Sequence, residues 1–227
     1  TNQKHILQFE GIDQVSSPMP PLICIPTTGG TAADVSQFAI ITNRSDRIKI
    51  AIVSKAVVPD VALIDPLTLT TMDPFLTACT GIDAMVHAIE AYVSNAQSSV
   101  TDLHALAAIR LVKGHLLNCI TAPDDVEARG QMMLASLEAG LAFSNASLGA
   151  VHAMAHSLGG LLDLPHGQCN AVLLQHVVAF NHTEASERFG HVGDALGLDL
   201  KEMTTPQQKT AVISEINRLR EEVGVYH

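Results

Sequence analysis

The ten residues DPLTLTTMDP, 65–74, separate two stretches of chain that cannot share one architecture. Before them, PLICIP (21–26), SQFAIITN (36–43), RIKIAIV (47–53) and VALID (61–65) are short, rich in β-branched residues and bounded by Gly, Pro, Asn or Asp, which marks them as strands. After them, residues 75–222 carry Ala- and Leu-rich segments at helical spacing, punctuated at Pro123, Gly149, Pro165, Gly190 and Pro206. The expectation is a sheet of four short strands followed by an almost wholly helical region, with a boundary at Pro74. Parallel strands need crossover helices, and none precedes PLICIP, so the sequence reads as starting inside a domain. No internal repeat or low-complexity tract interrupts it.

Hydrophobic residues make up 47% of the 227 and charged residues only 16%, enough to bury a core as one large domain or a domain and a half. A net charge of −10 without any Lys/Arg cluster argues against nucleic acid, which is bound by neutralising many phosphates. Every apolar run stops short of the roughly 20 residues a bilayer requires, and residues 1–20 lack a basic start followed by an apolar block, so neither membrane nor export is expected. Cys24, Cys79, Cys119 and Cys169 are widely spaced with no CxxC pair, which reads as reduced thiols in a cytoplasmic chain. Eleven histidines are the outlier in the composition.

Three of them fall within VHAMAHSLGGLLDLPH, residues 151–166, too dense for core filler. His152 and His156 lie four apart on an expected helix, and His166 follows a Gly-Gly and a Pro that can turn the chain back toward them. GIDAMVHAIEAY (81–92) reads as a largely buried helix with Asp83 and His87 one turn apart on one face. Taken singly, each histidine is also explained as a core side chain bonded to backbone carbonyls, and Asp83 with His87 as an ordinary helical hydrogen bond. The combination, with no cysteine ligand set, favours a mononuclear metal site of nitrogen and carboxylate oxygen, suited to Fe(II), Zn(II) or a similar divalent ion. Upstream, the loop IPTTGGTAAD (25–34) offers two glycines, three threonine hydroxyls and free N–H groups of the kind a phosphate or ribose needs, although, taken alone, a tight turn is the favoured reading of it.

PTTGGTAAD, GIDAMVHAIEAY and GAVHAMAHSLGGLLDLPHGQCNAVLL (149–174) together resemble, in order and spacing, the signature regions of the iron-activated, or group III, alcohol dehydrogenases. The resemblance implies a divalent metal held by Asp83, His87, His152 and His166. It makes His156 a catalytic neighbour of nicotinamide and substrate, where spacing alone pairs His156 with His152 as ligands. It implies cofactor contacts at Thr27, Thr28, Gly30, Thr31, Ser36 and Lys49. Gly29 and Asp34 depart from the residues many members carry in that loop. Residues 1–74 then correspond to the C-terminal part of a dinucleotide-binding α/β domain, and 75–227 to an all-helical metal-binding catalytic domain incomplete at its C-terminus. This is the two-domain plan of dehydroquinate synthase-like proteins, with a glycine-rich half-domain expected before Thr1 and further helices after His227.

The function this implies is a metal-dependent NAD- or NADP-linked alcohol dehydrogenase, moving a hydride between a small alcohol and its aldehyde or ketone, in a homo-oligomer such as a dimer. A metal-dependent lyase or cyclase of the dehydroquinate synthase type is the first alternative; it calls for Lys and Arg around a phosphorylated acidic substrate, and the helical region has few. A helical metal-binding module without catalysis is the second.

Overall fold

The structure is a computed structural model that describes residues 4–225; the outermost residues of the two expected domains, 1–3 and 226–227, lie outside the described residues. Asp73 accepts the Leu76 N–H at 3.0 Å and Pro74 takes the first helical position, so helix α1 (Pro74–Tyr92) begins where the sequence changes character. Every residue of α1 from Thr77 to Tyr92 except Thr80 is buried. A helix apolar on all sides has no solvent face and becomes the centre of a bundle. Helices α2 (Ser99–Thr121), α3 (Val126–Ala146) and α5 (His166–Asn181) surround it, while α4 (Ala150–Leu162) packs on α5. Farther out, α6 (Ser186–Ala195) packs against α2 and α7 (Thr205–Glu222), and α7 against α5. Fully buried alanines on α1 (Ala84, Ala88), α2 (Ala105, Ala108) and α3 (Ala135, Ala139) let these helices approach closely.

The first 70 residues form two sheets where the sequence suggests one of four strands. Strand β4 (Ile48–Val53) is central in the first, antiparallel to β3 (Phe38–Asn43) and parallel to β1 (Gly11–Ile12). The second pairs β2 (Ile23–Cys24) with β5 (Val61–Ala62) in parallel. The expected strands at 36–43 and 47–53 are present as the β3–β4 hairpin. Those at 21–26 and 61–65 shrink to two residues each, Ile23–Cys24 and Val61–Ala62, paired with each other in parallel.

Two of the expected helix boundaries move. Gly190 lies inside α6, and the break falls instead at residues 182–185, between α5 and α6. Gly159 and Gly160 do not turn the chain; they stay within α4, which ends at Asp163 in the left-handed conformation (φ 54°). The glycines serve close packing: a Cβ on Gly160 would sit 2.9 Å from the Arg47 carbonyl oxygen and 3.1 Å from Ile48 Cα, so this face of α4 rests on the β4 backbone.

Gly167 is under the same constraint, since a Cβ there would collide with the Cys79 carbonyl at the contact between α5 and α1. Gly114, exposed within α2, meets nothing within 4 Å. Gly167→Ala is therefore expected to lower unfolding free energy by about 1–3 kcal/mol through overpacking, and Gly114→Ala to raise it by about 0.5–1 kcal/mol through helix propensity. Chemical denaturation of the two variants checks both signs.

Candidate metal centre

Three helices deliver the site. On α1, Asp83 and His87 are one turn apart and both buried, with His87 Nδ1 at 4.0 Å from Asp83 Oδ2. His152 lies in the first turn of α4, and His166 is the first residue of α5. The left-handed Asp163 and the helix-initiating Pro165 fold α5 back along α4, which returns His166 to His152 at a ring separation of 5.4 Å. Nε2 of His152 and Nε2 of His166 each stand 3.6 Å from Asp83 Oδ1. Around a four-coordinate cation with bonds of about 2.1 Å, neighbouring donors lie about 3.4 Å apart. Asp83, His152 and His166 thus have the spacing of a shared ion, with their donor atoms all within 4.8 Å of one another.

His87 is placed beside this group rather than in it. Its ring stacks between His152 and Phe143, with centroids 4.4 Å from each. Its buried Nδ1 has no hydrogen-bond partner among the described residues. The point where the other donors converge is approached by Asn170, whose Nδ2 lies 2.5 Å from Asp83 Oδ1, 3.1 Å from His152 Nε2 and 3.3 Å from His166 Nε2. With both Nε2 atoms unprotonated, one amide nitrogen has two hydrogens for three acceptors, and that arrangement of lone pairs calls for a positive charge. A divalent cation fits that donor set.

For Asp83, His87 and His166 the surroundings bias protonation in the same direction. Burial pushes His87 down to about 3 and also lowers His166, leaving both neutral with lone pairs available. Burial alone would raise the Asp83 carboxyl, but the imidazoles of His87, His152 and His166 outweigh it and hold Asp83 below the usual carboxylate range. His152 is opposite: the Asp83 and Glu90 carboxylates overcome burial and raise it to about 9, so a bound cation takes the place of its Nε2 proton and frees that lone pair.

The histidines form one wall of a cavity of about 640 Å³ whose other wall is the β3–β4 hairpin. His156 opens onto this cavity beside the donor group, its ring 5.1 Å from His166 and 6.0 Å from His152. Burial, followed by the charge of His166, His152 and Lys49, pushes His156 down to about 4. Of the residues expected at the cofactor, Thr31, Ser36 and Lys49 line the same cavity. Thr27, Thr28 and Gly30 are not in its lining; Gly30 is buried against α1, where a Cβ would collide with the Thr80 carbonyl.

Two polar residues of the site escape the sequence reading. Asn170 lies four residues beyond His166, the spacing that pairs Asp83 with His87, so the same rule could have pointed to it. Glu90 follows His87 by three on α1 and is 4% exposed, a second buried carboxylate on the helix that carries Asp83. All four cysteines are free thiols. No helix among the described residues is long and apolar enough to cross a membrane.

Residues 77–227 match the model of the Fe-containing alcohol dehydrogenase family, C-terminal, and residues 1–66 that of iron-containing alcohol dehydrogenase. The chain is 40% identical over 225 residues to a 1,3-propanediol dehydrogenase of Klebsiella pneumoniae, covering 99% of this chain and 58% of that protein. It is 35% identical over 224 residues to an NAD-dependent methanol dehydrogenase of Bacillus methanolicus, covering 99% of this chain and 59% of the other. The crystal structure of a 1,3-propanediol oxidoreductase superposes with a TM-score of 0.95 at 40% identity, over all of this chain and 59% of that one. The chain therefore spans less than two thirds of the length of these relatives.

Proposed function

The chain belongs to the iron-containing alcohol dehydrogenase family, and from that premise we propose that the protein interconverts a small alcohol and its aldehyde or ketone, with NAD or NADP as hydride carrier. The observation that carries this reading is the convergence of Asp83, His152 and His166 on one point in the wall of a cavity that Thr31, Ser36 and Lys49 also line. Asp83, His152, His166 and His87 are the proposed ligands, and Fe(II) the proposed ion, with zinc its competitor for the same donors. A divalent cation there supplies Lewis acidity, lowering the pKa of a substrate hydroxyl and meeting the negative charge that grows on its oxygen.

The chain's own residues do the rest. Thr27, Thr28, Gly30, Thr31 and Ser36 supply hydroxyl and N–H donors for the cofactor, and Lys49 a cation beside its ribose. His156, neutral and open to the cavity, accepts or relays the hydroxyl proton and bounds the space for the nicotinamide ring. Phe38 and Phe143 line the cavity and help keep water from it. In this reading residues 1–74 are the C-terminal part of a dinucleotide-binding domain and 75–227 the metal-binding catalytic domain. A cytoplasmic homodimer is the proposed setting.

NADH and NADPH oxidation by the purified full-length protein, with a panel of short aldehydes and ketones, tests the activity. Reduction of at least one of them, lost on chelation and restored by Fe(II) or zinc, is the expected result. A metal-replete protein that reduces none would end the dehydrogenase reading.

A further inference from the structure

Helix α4 begins without a side-chain cap of its own, because its N-cap is Gly149. Its exposed N–H groups are met from another helix. Glu90 Oε1 accepts the Val151 N–H at 2.7 Å, and Oε2 accepts the Gly149 N–H at 3.0 Å. A Cβ on Gly149 would sit 2.8 Å from Glu90 Oε1, so a larger residue there would push the carboxylate from its present position. The chain arrives there through Ser147 at φ 64°, a conformation a non-glycine residue keeps only when its surroundings enforce it.

The same carboxylate has a third donor. Oε2 lies 2.7 Å from His152 Nδ1, while the other ring nitrogen of His152 faces Asp83. An ionised carboxylate offers only lone pairs, so Nδ1 must carry the hydrogen of this contact. The Nε2 lone pair is then directed at the point where Asp83 and His166 converge.

We propose that Glu90 is the positioning residue of this centre, fixing the tautomer and ring orientation of His152 while capping the helix that carries it. The proposal rests on the metal-site reading above and adds to it a residue outside the ligand set. Its chemistry is that of a carboxylate–histidine–metal relay, in which the outer carboxylate raises ligand basicity and locks the ring. Coupling to the α4 N-terminus adds a further role: the negative charge that orients His152 also balances the positive end of the helix.

Glu90→Gln separates orientation from packing. It keeps the length and volume but replaces one oxygen by an NH₂ donor, which faces either His152 Nδ1 and the Gly149 N–H or the Val151 N–H. In the first arrangement His152 must present Nδ1 as acceptor and protonate Nε2, so the lone pair leaves the site; in the second the NH₂ opposes the Val151 N–H, which opens the start of α4 and carries the His152 ring off its line to Asp83. Zinc affinity, measured by chelator competition on the whole chain, is expected to fall 10- to 100-fold, with a changed visible spectrum for the Co(II) form. Glu90→Asp, which retains both oxygens but sits one methylene short, is expected to recover a Co(II) spectrum closer to wild type and lose less affinity; it also carries the test if the Gln variant does not fold.

A purely structural cap would lower the thermal midpoint of the metal-free protein and leave zinc affinity within twofold of wild type. That result overturns the positioning role while leaving the metal site intact. Wild-type protein that binds no zinc overturns the metal-site reading itself and this proposal with it.

Discussion

Replacing His166 by alanine is expected to reduce the metal content of the purified protein from about one divalent ion per chain to near zero. His166 Nε2 is one of three donor atoms grouped around a single point, 3.6 Å from the Asp83 carboxylate. Well-formed four-ligand protein sites hold a zinc ion with roughly 10–16 kcal/mol, so a single donor carries about 3 kcal/mol, some two orders of magnitude in affinity. The loss is compounded because the His166 side chain is 26% exposed on the cavity side, and its removal admits water where a ligand stood. The fold should survive, since the residue sits at the start of α5 and fills no core position. Elemental analysis alongside far-UV circular dichroism reads both quantities. A folded variant with a full equivalent of metal would show that His166 is not a ligand.

The second large effect separates two histidines only four residues apart. His156→Ala is expected to keep the ion but lose 10²- to 10⁴-fold in turnover, the usual range for removal of a positioned proton-transfer group. His152→Ala is expected to lose the ion itself. The geometry behind this contrast is the grouping of His152 with Asp83 and His166, while His156 stands outside the group on the cavity wall. Metal content and NAD(P)H oxidation, measured on both variants of the full-length protein, distinguish them. Equal loss of metal in the two would make His152 and His156 the ligand pair that bare helical spacing suggests.

The parts of this site that were legible in the sequence are those set by local periodicity. Asp83 and His87 share a face of α1 because four residues make about one turn, and the apolar residues around them announce a buried helix. Strands β3 and β4 were legible because each is six residues long and rich in β-branched residues, while their antiparallel pairing was not. β1 was not, since Gly11 and Ile12 are a strand only by pairing with Ile52 and Val53, some forty residues on. Gly159 and Gly160 suggested a turn because propensity describes the isolated chain, whereas here the backbone of β4 requires the absent side chains. Glu90 was out of reach for a similar reason: its partners Gly149 and His152 are 59 and 62 residues away. His166 lies between these cases, because its return toward His152 depends on Asp163 adopting a left-handed conformation that no spacing rule reveals.

Anomalous diffraction at the iron edge, from crystals of the protein loaded with Fe(II), tests the central claim most directly. The account predicts one peak at about 2.0–2.2 Å from an Asp83 carboxylate oxygen, from Nε2 of His152 and His166, and from a ring nitrogen of His87, with Asn170 Nδ2 displaced from the position it now holds among them. A peak bound elsewhere, or no peak at full loading with Asn170 still bridging Asp83, His152 and His166, would contradict it.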